Sequence, residues 1–441
     1  MQAVIQAGGK GTRISAITGD TIPKPMLEID SYPILYHQLM NLKKNNIKKI
    51  TIIVGHLGHI IKEYFGNGAN LGLDIQYIDE DPDNPLGTAG SLYDLKNKIT
   101  DDFIFLLADV FIDIDFQKMY EFHQTNHADV TLLTHPNSHP FDSDLIVAND
   151  KSQVQALDSK NNDRSNYYYN NLVNAGVMIF SPKVLDFIKE KKKYSYEKDI
   201  VMPLIKSGKV YSYKSSEYAK DMGTPERYEQ VKKDYSNGLP NNRNLKNKQK
   251  AIFLDRDGTI NEYVGFLRNI DDLRLMDNVA EAIKMINSSE YLAIVVTNQP
   301  VIARGEVTTD ELNDIHKKME TLLGNDGAYV DDLYYCPHHP DKGYKGEIPE
   351  LKIKCKCRKP NIGMILEAAK DHNIDLSESI MIGDSTLDIK MAENAGMASI
   401  LVRTGQKGED GKYDVSPSLI KENLFEAINS IINTKNRKKE L

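Results

Sequence analysis

The sequence predicts an α/β protein made of two doubly wound, Rossmann-like domains in tandem. Three observations predict it: a length of 441 residues, short apolar runs alternating with amphipathic stretches in both halves, and one Asn-rich polar segment between the halves. A chain of that length exceeds one ordinary hydrophobic core. Continuous apolar runs between helical patterns mark parallel strands covered on both faces, since a strand with one wet face alternates instead.

In the first half AVIQA (3–7), KITIIV (49–54) and FIFLLAD (103–109) read as strands. ILYHQLMNLKKNN (34–46), HIIKEYF (59–65) and residues 225–235 read as helices. In the second half AIFLD (251–255), LAIVVT (292–297) and IMIGD (380–384) are the strands. The stretch SNGLPNNRNLKNKQ (236–249) offers almost nothing to bury and predicts a flexible linker. The predicted domains are therefore 1–235 and 250–435, followed by a frayed tail over 436–441.

Hydrophobic and charged contents of 40% and 27% are those of a globular protein. A net charge of −8 supplies no cationic field for nucleic acid. No run of about 18 apolar residues predicts a membrane span, and the N-terminus lacks a basic segment leading into an apolar one. The three cysteines all fall between 336 and 357, too few and too crowded for a disulfide framework. They predict a metal in a reducing, cytoplasmic compartment. A homo-oligomer is neither required nor excluded.

Ligands of such sheets sit beyond the carboxyl ends of the strands, so the motifs that follow the apolar runs matter most. AVIQA runs into Gly8, Gly9, Lys10, Gly11, Thr12 and Arg13. Glycines let a backbone approach phosphate oxygens, and Lys10 or Arg13 adds charge. Lys24 (in PKPM), Gly87 and Thr88 (in PLGTAG), Asp109 at a strand end, Asn174 and Gly176 (in NAGV), and Asp221 (in DMGTP) follow in order.

In this order the motifs resemble the sugar-nucleotide pyrophosphorylase family, over residues 1–235. The resemblance implies a GT-A-like nucleotidyltransferase. A sugar 1-phosphate oxygen attacks the α-phosphorus of a nucleoside triphosphate and pyrophosphate leaves, so positioning and charge neutralisation are the main tasks. Arg13 then stabilises the triphosphate, Lys24 contacts the reacting phosphates, and Asp109 and Asp221 hold Mg2+. Gly87 and its neighbours face base and sugar, Asn174 and Gly176 belong to the sugar-binding strand, and Lys160 binds the sugar phosphate. The chain departs from the family at Ala108, at Ser31 and Tyr32, and at Ser159, where a Glu usually precedes the Lys. PKPM, PLGTAG and VGHLGHII resemble the heptose-1-phosphate guanylyltransferases among these relatives.

In the second half Asp255 and Asp257 end the first strand with one residue between them. One carboxylate can attack phosphorus while the other protonates the leaving alkoxide and then deprotonates water, with Mg2+ relieving the repulsion. Asp384 completes that metal site with Asp255 and Asp257, and Asp388 supports it. Thr297 and Asn298 are placed for phosphoryl oxygens, and Arg358 and Lys359 add cations. Cys336, His338, Cys355 and Cys357 supply four ligands suited to tetrahedral Zn2+ in a closed structural site. His339 competes with His338.

DxDGT, strand-end Thr, Lys and GD in this order resemble the haloacid dehalogenase superfamily. With CPHHP and CxCRKP they resemble its zinc-containing D-glycero-D-manno-heptose-1,7-bisphosphate 7-phosphatases over 250–435. That resemblance implies a zinc-bound loop beside the site, favours His338 as ligand, and makes Arg304 a further substrate contact. The motifs depart at Pro300 and Val301, where Ser-Gly is usual, and at Ser385, where Lys is usual. The expected partners are sugar phosphates and a nucleoside triphosphate. The phosphatase product is the substrate the transferase needs.

Overall fold

The computed structural model describes residues 1–9, 11–19 and 21–439, without the side chains of Thr12 and of residues 433–439. The chain divides into two compact units.

The first unit comprises Met1–His135, Asp144–Ser159 and Leu172–Asn244. Its main sheet runs, edge inward, Val154–Asp158, Leu145–Ala148, Val173–Phe180, Phe103–Leu107, Gln2–Ala7, Lys49–Val54, Asp74–Asp79, with Val130–His135 and Val210–Lys214 continuing from Val173–Phe180. Four strands are parallel, from Phe103–Leu107 to Asp74–Asp79. Val173–Phe180 runs antiparallel to Phe103–Leu107. The sheet is thus mixed, a correction to the parallel sheet predicted. The three apolar runs read as strands all lie in the parallel part, and local patterning does not reveal the direction in which later strands return. Both faces are covered: Ala3, Ile5 and Ala7 belong to one apolar cluster, and Val4, between them, to another. The helices Ile34–Lys44, Gly58–Phe65 and Pro225–Ser236 form where their periodicity predicts.

The second unit comprises Leu245–Leu441 together with Pro136–Ser143 and Lys160–Asn171. Its six strands are all parallel, ordered Asp332–Cys336, Tyr291–Asn298, Lys250–Leu254, Ile380–Gly383, Ala398–Val402, Leu419–Lys421. Ile252 and Leu254 face one cluster, Ala251 and Phe253 the other. This is the doubly wound sheet the sequence predicts.

Three boundaries differ from expectation. The segment 236–249 is packed in part: Leu239–Arg243 is helical, Leu239 and Leu245 are buried, and Gln249 joins the backbone of Asn373. Two leucines anchor it, which the polar composition concealed. Residues 136–143 and 160–171 leave the first unit and pack on the helix Thr309–Asn325. There Tyr169 N donates to Thr321 Oγ1 at 3.0 Å and Asn171 N to Glu320 Oε2 at 2.6 Å. The last helix, Leu424–Lys439, continues through most of the stretch predicted as frayed tail, and 440–441 lie outside the described residues. Among the described residues no helix is long and apolar enough to cross a membrane.

Candidate active sites

In the first unit the turn after Gln2–Ala7 and the ends of neighbouring strands enclose a cavity of about 410 Å3. Gly8, Gly9, Gly11, Arg13, Lys24, Gly87, Thr88 and Asp109 line it, as the motifs predict, joined by Gln6 and Glu80. Lys24 is buried and its ammonium sits 2.8 Å from Asp109. Gly87 has φ 76°, and a Cβ there would lie 2.5 Å from the Tyr194 carbonyl, so only glycine fits. Thr88 Oγ1 accepts from Tyr196 N at 3.0 Å.

Asp221 stands in a two-stranded ribbon beside Val110, and Met222 N donates to the Asp109 carbonyl at 3.0 Å. The backbone therefore brings the two predicted metal carboxylates to one ribbon end. Arg227 Nη1 donates to both Asp221 oxygens at 2.9 and 3.1 Å, a partner the sequence reading missed. Asn174 and Gly176 lie on Val173–Phe180, where Asn174 Oδ1 accepts from Gly176 N at 3.2 Å. Lys160 belongs to the second unit, 3.4 Å from Asp142. Lys10 and the side chain of Thr12 lie outside the described residues.

Glu80 was also missed. It is buried at the end of Asp74–Asp79, with Oε1 accepting from Ser91 Oγ and from Gln6 Nε2 at 3.5 Å. Its Oε2 faces Gly8, where a Cβ would lie 2.5 Å away. An acidic residue just after a strand-like run was the available signal.

In the second unit the strand ends form a cavity of about 200 Å3 lined by Asp255, Asp257, Thr297, Asn298, Arg304, Arg358, Lys359, Asp384 and Asp388, among others. Asp255, Asp384 and Asp388 each bring a carboxylate oxygen within 4.8 Å of the others. Lys359, buried, sits 2.7 Å from both Asp255 and Asp388. Burial pushes Asp255 up to about 7: Lys359 pulls it back down, while Asp388 adds to the rise. Burial, then Asp255 and Asp388, push Asp384 up to about 8. Burial alone would lower Lys359, and the two carboxylates more than reverse that. Three carboxylates crowd one ammonium, the environment in which a divalent cation binds in competition with protons.

The predicted ligand Asp257 is not in that carboxylate group. Its oxygens accept from Arg256, fully buried, at 2.8–3.1 Å, from Asn261 at 3.0 Å and from Gln299 at 2.9 Å. Asp388 takes the third place and also bonds Ser385 Oγ at 2.6 Å. Thr297 Oγ1 accepts from Gln299 Nε2, and Asn298 Oδ1 from Lys359 N.

Cys336, His338, Cys355 and Cys357 converge within 4.8 Å. The sulfurs are 3.2–3.5 Å apart, and His338 Nδ1 is 3.2 Å from Cys357 Sγ. A tetrahedral zinc site has ligand–ligand edges of roughly 3.6–3.8 Å, so this donor set fits with small adjustment. His339 turns away, its Nε2 3.2 Å from Arg304 Nη2. Burial raises the Cys336 thiol, and the neighbouring thiols add to it.

Comparison with known proteins agrees with both halves. Residues 2–238 match the model of the Nucleotidyl transferase family, and 356–427 that of HAD-hydrolase-like proteins. The D-glycero-beta-D-manno-heptose-1,7-bisphosphate 7-phosphatase of Haemophilus ducreyi is 42% identical over 160 residues, 36% of this chain and 85% of that protein. The D-glycero-D-manno-heptose-1,7-bisphosphate 7-phosphatase of Thermosynechococcus vestitus is 37% identical over 185 residues, 40% of this chain and 93% of that protein. Among solved structures, HddC from Yersinia pseudotuberculosis matches at 24% identity and TM-score 0.46, covering 53% of this chain and 99% of that one. The chain therefore belongs to the nucleotidyl transferase family over its first half and to the heptose-bisphosphate phosphatases of the HAD class over its second, joining a nucleotidyltransferase to a phosphatase in one polypeptide.

Proposed function

We propose that the two activities are consecutive steps toward one nucleotide sugar, in the cytoplasm. The substrate is D-glycero-D-manno-heptose 1,7-bisphosphate. Asp255 Oδ attacks the 7-phosphorus, the P–O7 bond breaks, and Asp257 gives its proton to the leaving oxygen. Water, deprotonated by Asp257, then releases phosphate from the aspartyl phosphate. Mg2+ bound at Asp255, Asp384 and Asp388 supplies charge neutralisation and orientation of the phosphoryl group. The heptose 1-phosphate oxygen next attacks the α-phosphorus of GTP in the first unit, and pyrophosphate leaves. Arg13 and Lys24 balance the phosphate charge, and Asp109 and Asp221 hold a second Mg2+. Zn2+ at the Cys3His group is structural.

One observation carries the joint reading: a carboxylate–lysine phosphoryl site and a Gly-rich phosphate cradle with its own lysine–aspartate pair stand in one chain. Glu80 supports guanine. A carboxylate only accepts, and guanine presents two adjacent donors, N1–H and N2–H2, on its Watson–Crick edge, where uracil, thymine, cytosine and adenine each present one donor group. Incubation with the bisphosphate, GTP and Mg2+ should yield phosphate, pyrophosphate and a GDP-heptose mass. No nucleotide-sugar product sinks the reading, and a product only with CTP, UTP or dTTP replaces the base.

Two further outcomes follow. Asp109→Asn removes a metal carboxylate and the partner of buried Lys24, and should lower transferase kcat/KM by about 10²–10³-fold with phosphate release unchanged. In the phosphatase, protons compete with Mg2+ for Asp255 and Asp384, which stay protonated below about 7 and about 8. Apparent Mg2+ affinity should therefore rise about tenfold or more from pH 6 to 7. A pH-independent Mg2+ titration would contradict the assignment.

A further inference from the structure

Arg304 follows the short helix Pro300–Ala303 and lines the phosphatase cavity. Its guanidinium carbon lies 4.0 Å from the ring centre of Phe266 and 4.4 Å from that of Tyr344. Its Nη2 meets His339, and its buried Nε has no partner. Among the described residues no carboxylate pairs with it, in contrast to Lys359. Arg304 thus keeps its full charge in a cavity made for phosphate.

Tyr344 is itself fixed from behind. The Glu347 carboxylate accepts from Gly343 N at 2.9 Å and Tyr344 N at 3.0 Å. The ammonium of Lys352, whose side chain is completely buried, lies 3.6 Å from that carboxylate and 4.4 Å from the Tyr344 ring centre. The loop presses on the arginine's turn: Ile348 N donates to the Ala303 carbonyl at 3.0 Å, and a Cβ on Gly305 would strike the Gly346 carbonyl. One tyrosine ring therefore has two cations against it. Of the two, Arg304 lines the cavity and Lys352 does not.

We propose that Phe266 and Tyr344 are positioning residues that clamp Arg304 so that it reads the second, uncleaved phosphate of the substrate. This rests on the reading that the phosphatase takes a sugar bisphosphate. The cleaved phosphoryl group meets Asp255 and Lys359 on the floor, and Arg304 bonds none of the floor's carboxylates among the described residues. Aromatic faces hold a guanidinium flat without neutralising it, as a carboxylate would. The uncleaved phosphate can then use the charge in full.

The test is steady-state kinetics of the full chain on the heptose bisphosphate and on p-nitrophenyl phosphate, which carries one phosphate. Tyr344→Leu should raise KM for the bisphosphate about tenfold, leave kcat within about twofold, and leave p-nitrophenyl phosphate turnover unchanged. Tyr344→Phe should restore KM, because the ring remains. Phe266→Leu, at a position 41% exposed, should act the same way without a folding penalty. Equal losses on both substrates, a fall in kcat alone, or an unchanged KM overturns the clamp. A wild-type enzyme with no preference for the bisphosphate overturns the substrate reading, and the clamp with it.

Discussion

Replacing Asp255 by Asn should reduce phosphate release by at least about 10⁴-fold while nucleotidyl transfer to a supplied sugar 1-phosphate stays within about twofold. An amide occupies the same space at the end of Lys250–Leu254 but is not a nucleophile toward phosphorus. It also leaves Lys359 its second partner, Asp388 at 2.7 Å, so the ammonium is not stranded. Burial and like charges hold Asp255 and Asp384 high, so removing one of the three crowded carboxylates relieves repulsion. The melting temperature should therefore hold or rise, as measured by calorimetry. Starting from the bisphosphate, the variant should make no nucleotide sugar, and adding the 1-phosphate should restore it. Phosphate release above about 1% of wild type would remove Asp255 from the nucleophile's role.

Stripping metal from the Cys3His group should cost the second unit at least about 10 °C in melting temperature. Structural zinc binds zinc-finger peptides with roughly 10–16 kcal/mol of apparent free energy, and a few of these suffice for that shift in a unit of this size. The group joins the end of Asp332–Cys336 to the turn before Arg358 and Lys359, and Arg358 N donates to Cys355 Sγ at 3.3 Å. Without metal, three sulfurs 3.2–3.5 Å apart have no cation to hold them together as thiolates. Metal analysis should give one zinc per chain, and Cys357→Ser should lower both zinc content and melting temperature. A chain that melts identically after exhaustive chelation would show that the cluster holds no structural metal.

What the sequence made legible was local. Apolar runs such as KITIIV became strands with nearly the predicted ends, and the motifs behind them line cavities because parallel strands open at their carboxyl ends. Cys336, His338, Cys355 and Cys357 were readable because metal ligands cluster as residue types. What stayed hidden depends on contacts between distant positions. Nothing near Asp221 announces Arg227, and nothing near Asp257 says that Arg256 will turn back on it rather than face a phosphate. The antiparallel return of Val173–Phe180 and the burial of Leu239 are likewise settled by partners remote in sequence.

Residues 136–143 and 160–171 have a consequence for how the protein is made. Tyr169 bonds a residue 152 positions later, and Asn171 one 149 positions later. At roughly 5–20 residues per second, a ribosome needs on the order of 10–30 s to add that stretch. The two segments therefore wait on the nascent chain, exposed to chaperones and proteases, until the helix Thr309–Asn325 emerges. A gene cut between the two catalytic halves would strand those segments on the wrong fragment. Slow translation through codons 172–325 should correspondingly lower the yield of intact protein.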